Sequence, residues 1–365
     1  MNRRSLLAAG GGLAVASVGA SYLAVRNMGS MEEYNAAVAA ARAALKQTPE
    51  IRDFIRYATL APSGHNTQPW KFRPGEGGVD ILPDISRRTP VVDPDDHHLF
   101  VGLGCSAETL AIAAGARGRP GEVAFDPANG GSVGVTFGNG GTSDIDLCDA
   151  IPKRQSTRSV YDGRAVSATE LQLLAKSAAI PGVDLVLITD RAQIDRVRDL
   201  VVAGNSAQMD DAAFVRELKY WLRFSPLQAL ATGDGLFTAS SGLPTLPAWL
   251  GPHVFDWVVT AKSENDTYAP QLASSSGIAV FVSQVEDKAH WVLAGRACQR
   301  FALQATALGI KHAFVNQPIE VPSLRPELAS LLGLPGRRPD LVMRFGYGPA
   351  LPYSARRPLG SSVIA

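Results

Sequence analysis

The sequence predicts an α+β fold made of two copies of one unit, with an insertion in the second copy. The order of helical and extended segments repeats after Ile151. The two longest apolar helical segments also match, because Gly104 and Gly118 stand 14 positions apart, as Gly295 and Gly309 do. The 365 residues are 46% apolar and 19% charged, which is enough material for two such halves with a sizeable core.

We assign the first half to residues 31–150. Apolar residues at helical spacing predict helices over 31–46, 50–60 and 99–116. Extended and alternating residues predict strands over 70–72 and 79–82, on either side of a turn, and a strand pair within 122–137.

We assign the second half to residues 151–365. The same patterns predict a helix over 170–179, strands over 183–188 and 278–282, and a long helix over 291–308. Between them, residues 205–265 form an insertion rich in tryptophan and interrupted by glycine and proline. This composition suits a lid over a ligand, and it suits equally a helical insertion packed on the core.

The amino terminus predicts export. Arg3 and Arg4 precede Ser5-Leu6-Leu7, and no charged residue occurs from Ser5 to Val25. This resembles a twin-arginine signal, which is used by proteins that fold and load a cofactor before export. We therefore assign residues 1–30 to a cleaved signal or a retained membrane anchor, both of which the length of the run allows. The protein is then expected in the periplasm or on the outer face of the cytoplasmic membrane.

Charge and cysteine content exclude several classes. The chain has 35 Lys and Arg residues and 34 Asp and Glu residues, so its net charge of +1 does not indicate binding to nucleic acid. The three cysteines, Cys105, Cys148 and Cys298, lie far apart without C-x-x-C spacing. They exclude a disulfide scaffold and a cysteine zinc site.

Three polar clusters carry the chemistry. In an extended segment, Arg154, Ser156 and Arg158 point to one face, and two guanidinium groups with a hydroxyl suit a phosphate. Taken alone, the cluster is equally typical of a solvated basic loop. A second cluster, residues 61–70, forms a hydrogen-bonding loop between prolines, and the third is Arg356-Arg357 near the carboxyl end.

These clusters resemble the nitroreductase superfamily of FMN proteins. Residues 62–70, PSGHNTQPW, are similar to its P-S-x-x-N-x-Q-P-W signature, and residues 154–158, RQSTR, to its R-x-S-x-[RK] segment. Residues 346–348 with 356–358 resemble its carboxyl end. Here the P-S-x-x-N loop comes before the R-x-S-x-[RK] segment, which is the reverse of the usual order. The first half therefore carries the loop and the second half carries the arginine segment. This resembles the Acg-like branch, in which one chain forms an intrachain pseudo-dimer with one FMN.

The resemblance implies a site for FMN and for no metal. Around the phosphate and ribityl chain it implies Arg154, Ser156, Arg158, Arg356 and Arg357, with Arg158 in reach of the flavin N1/O2 edge. Beside the isoalloxazine it implies Pro62, Ser63, Gly64 and Asn66. Near flavin N5 it implies Asn316 and Gln317.

The implied function is an FMN-dependent oxidoreductase that passes electrons through flavin N5 to a nitroaromatic or quinone-like acceptor. NAD(P)H is one candidate reductant, although export leaves the electron donor open. The alternative is an FMN-sequestering or FMN-storage protein whose insertion occludes the flavin. The expected partners are a small-molecule donor and acceptor and the export machinery for folded proteins, and the expected state is a monomer.

Two further patterns are interpreted as structural. Gly102-Leu103-Gly104 imitates a dinucleotide fingerprint, but the strand that should precede it is too short. The acidic residues from Asp93 to Asp96, followed by His97 and His98, could suggest a metal site. Acidic residues before a helix are more simply its cap.

Overall fold

The computed structural model describes residues 28–364. The predicted signal or anchor, residues 1–30, lies outside this range except for its last three residues. The elements of the first half are α1 (Met31–Ala41), α2 (Ile51–Ala58), β1 (Trp70–Gly75), β2 (Gly78–Pro83), α3 (His97–Gly115), β3 (Gly121–Asp126), β4 (Ser132–Phe137) and α4 (Ile145–Ala150).

The second half follows the same plan with an addition. Its elements are α5 (Ala168–Ser177), β5 (Val183–Ile188), α6 (Arg191–Asp210), α7 (Ala212–Trp221), β6 (Leu222–Arg223), α8 (Pro226–Thr232), β7 (Leu236–Phe237), α9 (Gly251–Val258), α10 (Ala261–Ala273), β8 (Gly277–Ser283), α11 (Lys288–Ala307), β9 (Lys311–Phe314), α12 (Gln317–Glu320), α13 (Arg325–Leu331), β10 (Leu341–Gly346) and α14 (Leu359–Ser362).

Each half contains one antiparallel four-stranded sheet. The strand orders are β1-β2-β4-β3 and β5-β8-β10-β9. Numbered within its own half, each sheet therefore reads first, second, fourth, third. A long helix, α3 or α11, connects the second and third strands in both halves. The identical topology confirms the predicted α+β fold of two fused halves.

The predicted insertion, residues 205–265, lies within the connection between β5 and β8, residues 189–276, which has no counterpart between β1 and β2. We use the term insertion for this whole connection. The only strand pair among its described residues is the short parallel pair of β6 and β7.

One hydrophobic core joins the two halves. Buried residues of both sheets, such as Phe72 and Phe281, pack with the apolar faces of α3 and α11. In the described part of the chain, α3 is the one helix long and apolar enough to cross a membrane, and its window is 89% buried in this core. This burial identifies α3 as a core helix.

Candidate functional site

A cavity of about 620 Å³ lies between the two halves and the insertion. Its walls come from four parts of the chain: the loop between α2 and β1, the first turns of α3, the segment from the end of β9 through α12, and the insertion. Most of the lining is apolar, and the volume is in the range of small-molecule and cofactor sites.

Six of the predicted site residues line this cavity. They come from both halves, as the reversed motif order requires: Pro62, Ser63 and Gly64 from the first half, and Arg158, Asn316 and Gln317 from the second. The geometry thus brings the two motifs together within one chain.

The loop from Pro62 to Trp70 has an unusual backbone. His65, Asn66 and Gln68 have φ values of 46°, 53° and 54°, in the left-handed region that residues with a Cβ rarely adopt. The Ser63 hydroxyl accepts a hydrogen bond of 2.9 Å from the Gln68 amide, which holds the loop curled. Strained conformations of this kind cluster at binding sites, because the surrounding structure must enforce them.

Three arginines form a cluster directly behind this loop, of which Arg42 and Arg154 are buried and Arg356 is partly buried. Arg154 donates to the Leu60 carbonyl at 2.9 Å, and Arg356 donates to the carbonyls of Leu60 and Ala61 at 3.1 and 3.2 Å. Arg42 donates to the main-chain oxygen of Arg154 at 3.2 Å. Within residues 28–364, none of these arginines forms an ion pair with a carboxylate.

The electrostatics of the cluster favour an anion. Burial lowers the pKa of Arg154 to about 10 and, with the charge of Arg154 beside it, the pKa of Arg42 to about 9. Burial and these two neighbours lower the pKa of Arg356 well below its usual value. Arg154 is 2% exposed, and its Nε and Nη1 have no hydrogen-bond acceptor among the described residues. Buried charge without a counter-ion is costly, and a phosphate would remove that cost.

The five residues that the resemblance implies around the phosphate and ribityl chain do not lie in one cluster. Arg154 and Arg356 are together, whereas Arg158 lies in the cavity. Arg357 is on the other side of the carboxyl-terminal segment, where it donates to the Gln68 carbonyl at 3.0 Å and lies 3.7 Å from Asp84. Ser156 pairs through its backbone with His312 and does not line the cavity. The sequence argument assumed that alternate side chains of residues 154–158 point to one face, and this assumption does not reveal their different positions.

Asn66 is also outside the cavity lining. Its Nδ2 donates to the carbonyls of Gly235 and Ala355 at 3.1 and 3.2 Å, and its Oδ1 accepts from Arg356 at 3.0 Å. It therefore ties the loop to the insertion and to the carboxyl-terminal segment.

A pair of titratable groups occupies one end of the cavity. The Nδ1 of His98 is 3.9 Å from Oε1 of Glu320, and Gln208 donates to the other carboxylate oxygen at 2.7 Å. Burial raises the pKa of Glu320 and lowers the pKa of His98, so both changes favour the neutral forms. His65 also faces the cavity, and burial lowers its pKa to about 4.

The residues that sequence reasoning missed lie far from the motifs. Arg42 is at the carboxyl end of α1, and Glu320 ends the short helix α12. No local pattern marks either of them. His98 belongs to the acidic segment interpreted as a helix cap.

That cap is confirmed for Asp93, whose carboxylate accepts from the amides of His98 and Leu99 at 3.0 Å each. Asp93, His97 and His98 bring their ligand atoms within 4.8 Å of one another. However, Nε2 of His97 is bonded to Asp340 at 2.8 Å. Gly102 and Gly104 lie inside α3, so the dinucleotide fingerprint has no turn to form.

Comparison with known proteins gives two kinds of similarity. No family model matches the chain. Two curated proteins of Mycobacterium tuberculosis, both provisionally named NAD(P)H nitroreductases, match over 86% of the chain. One is 25% identical over 328 residues and 90% of its own length, and the other, acg, is 23% identical over 344 residues and 94% of its length.

Solved structures overlap with part of the chain. An FMN-bound nitroreductase of Bacteroides fragilis aligns with 60% of this chain and 98% of its own, with a TM-score of 0.38 and 16% identity. One of Desulfitobacterium hafniense aligns with 60% and 97%, with a TM-score of 0.39 and 16% identity. Over most of its length the chain is therefore similar to proteins named as nitroreductases, among them acg, and residues of both motifs that carry this resemblance line the cavity.

Proposed function

We propose that this protein is an FMN-dependent oxidoreductase of nitroreductase type, with one flavin site per chain. The observation that carries the proposal is Arg154, which is buried behind the cavity loop with two donors that no described residue accepts. A flavin mononucleotide offers both a phosphate for these donors and a planar ring for the largely apolar cavity. The M. tuberculosis relatives named for a nitroreductase activity support the same reaction class.

The residues present fit the two ends of this cofactor. Arg154, with Arg42 and Arg356 beside it, would hold the phosphate through charge-assisted hydrogen bonds. Pro62, Ser63 and Gly64 would border the ring from the first half. Asn316 and Gln317 would border it from the second half, where Asn316 Oδ1 already accepts from the amide of Val342 at 2.9 Å.

When bound, FMN would supply a two-electron carrier that receives a hydride from a reductant and returns it to an acceptor. Arg158 would place a fixed positive charge in the cavity, which stabilises an anion that forms there. Glu320 would hold a proton on its Oε1, because burial raises the pKa of its carboxyl group. It would deliver that proton to the acceptor, a nitroaromatic or a quinone, as the acceptor takes up electrons.

The function test uses the spectrum and redox response of the purified protein. We expect a yellow protein with one FMN per chain that NADPH or dithionite bleaches without oxygen, and that a nitrofuran or a quinone reoxidises. Two flavins per chain would contradict a site shared between the halves. A flavin that none of these reagents reaches would contradict an oxidoreductase.

FMN storage is the second candidate function, and one observation favours it. The insertion supplies most of the cavity lining, so it covers the region assigned to the flavin. Against occlusion, Leu243 and Val258 line the cavity and are 54% and 61% exposed. The redox test above distinguishes the two, since a storage protein would bind flavin and resist reoxidation by an added acceptor.

Glu320→Gln is expected to make stability less sensitive to pH. A carboxyl group with a raised pKa in the folded state contributes stability at low pH, which is lost as the pH rises through that pKa. The unfolding temperature of the wild type should therefore fall more between pH 5 and pH 8 than that of the variant. Glu76→Gln, in an exposed turn, is the control and should follow the wild type. Parallel curves for Glu320→Gln and wild type would show that the carboxyl group is not perturbed.

We also propose that the chain is exported as a folded monomer by the twin-arginine route. The support is the sequence of residues 1–30, of which the structure describes only the last three. Replacing Arg3 and Arg4 with lysine should retain the protein, with its flavin, in the cytoplasmic fraction. Unchanged distribution of that variant between fractions would exclude this route.

A further inference from the structure

The insertion carries an apolar surface that no described residue covers. Trp257 is 82% exposed, Trp249 66%, Val258 61%, Leu243 54% and Leu227 52%. We call these five residues the insertion face. Both of the strongly exposed tryptophans of the described chain belong to it. Exposed apolar groups gathered in this way mark a surface that meets another apolar phase.

The five residues belong to adjoining segments. The main-chain oxygen of Phe224, just before α8, accepts from the Leu246 amide at 2.8 Å. The Phe224 ring packs closely against Gly251, the first residue of α9. The start of α8, residues 243–250 and α9 therefore lie next to one another.

Two residues of the insertion face lie at the opening of the cavity. Leu243 and Val258 both line the cavity and are more than half exposed, so they stand at its mouth. Trp257 is next to Val258 in the chain. An apolar molecule that enters the cavity by this opening would therefore contact the insertion face.

The amino-terminal segment leaves the described structure at the same place. The carbonyl of Met28 accepts from the Leu227 amide at 2.8 Å, at the beginning of α8. The uncharged run from Ser5 to Val25, 21 residues long, ends only three positions earlier. A run of this length and composition matches the thickness of a bilayer, so an anchor there would bring α8 to the membrane surface.

We propose that the insertion face rests on a lipid bilayer and that the cavity opens onto it, so that apolar molecules dissolved in the bilayer can enter. Tryptophan is the residue that membrane interfaces favour, because its ring is apolar and its N–H remains hydrated. Asp256, which precedes Trp257 in the chain, forms an ion pair with Lys219, with 2.7 Å between Oδ1 and Nζ. This reduces the cost of bringing α9 close to hydrocarbon. The inference holds whether or not the bound molecule is FMN.

The test is quenching of tryptophan fluorescence by lipid. The full chain is mixed with phosphatidylcholine vesicles whose acyl chains carry bromine. Trp70, Trp221 and Trp291 are 0%, 5% and 8% exposed, so they should be shielded from the lipid. We expect bromine to quench the wild type, and the double variant Trp249→Phe/Trp257→Phe to lose most of that quenching. No quenching of vesicle-bound wild type, or equal quenching of the double variant, would overturn the proposal.

Charge on the insertion face provides a second measurement. Val258→Asp should reduce the bromine-dependent quenching of the full chain, because it places a carboxylate at the mouth. Val285→Asp is the matched control, since Val285 is 50% exposed in the turn after β8, and should quench like the wild type. Equal quenching of both aspartate variants would contradict a bilayer contact. So would a lipid-free dimer that Val258→Asp separates, because the face would then be a contact between two copies.

Discussion

Gly104→Ala should destabilise the protein by about 3 kcal/mol or more, because overpacking against main-chain atoms cannot be relieved by a rotamer change. A Cβ at Gly104 would lie 2.1 Å from the carbonyl oxygen of Val292 on α11. The two long helices would have to separate, and the core that joins both halves would have to open with them.

Gly295→Ala should have an effect of similar size. Its Cβ would lie 2.0 Å from the carbonyl oxygen of Val101 on α3. Each glycine thus faces the carbonyl that stands three residues before the other, which is the relation expected of two equivalent halves. Because the two substitutions strain the same helix pair, their costs should not add in the double variant.

Gly102→Ala is the control for this prediction. It lies in the same helix, and the nearest atom to its added Cβ would be 3.8 Å away, in Ser63. Alanine is the better helix former by up to about 1 kcal/mol, so this variant should be as stable as the wild type or more so. Urea unfolding followed by circular dichroism measures all three. A Gly104→Ala variant as stable as Gly102→Ala would show that the helices do not approach so closely.

These glycines also explain how far the fold could be predicted. The matched spacing of Gly104/Gly118 and Gly295/Gly309 revealed the repeat, because Gly104 and Gly295 lie where the helices pack and Gly118 and Gly309 follow the helix ends with φ values of 73° and 76°. No comparable pattern marks strand β10. Its central residue, Arg344, is polar in the sequence but fully buried, where it donates to the carbonyls of Gln271 and Ser159 at 3.1 and 2.8 Å. A strand pattern interrupted by arginine is not recognised as buried.

The candidate site was predictable only where its residues are neighbours in the chain. The Pro62–Gly64 loop and Arg158 carry their chemistry in short motifs, and both line the cavity. Arg42 and Glu320 reach the site through the packing of distant helices, which a linear pattern does not encode. Arg356 and Arg357 show the opposite case, because adjacent arginines were predicted to act together and the structure directs them to different partners.

Replacing both Arg154 and Arg158 with alanine should release the flavin that we propose for this site. Hydrogen bonds to a charged group contribute about 1.5–3 kcal/mol each, so the loss of two corresponds to roughly a thousandfold weaker binding. The measurement is the FMN-to-protein ratio after gel filtration. Circular dichroism of the same sample shows whether the apoprotein is folded, since Arg154 also holds the Leu60 carbonyl.

The single variants divide the effect between the two ends of the cofactor. Arg154→Ala should weaken the binding of FMN and should spare that of riboflavin, which has no phosphate. Arg158→Ala should weaken both, because Arg158 lies in the cavity itself. Arg357→Ala is the discriminating control. The sequence motif predicts that it loses flavin, whereas its position beside Gln68 and Asp84 predicts that it retains flavin. Full flavin content in the folded Arg154→Ala/Arg158→Ala protein would remove both arginines from the site, and with them the argument that the unpartnered donors of Arg154 await a phosphate.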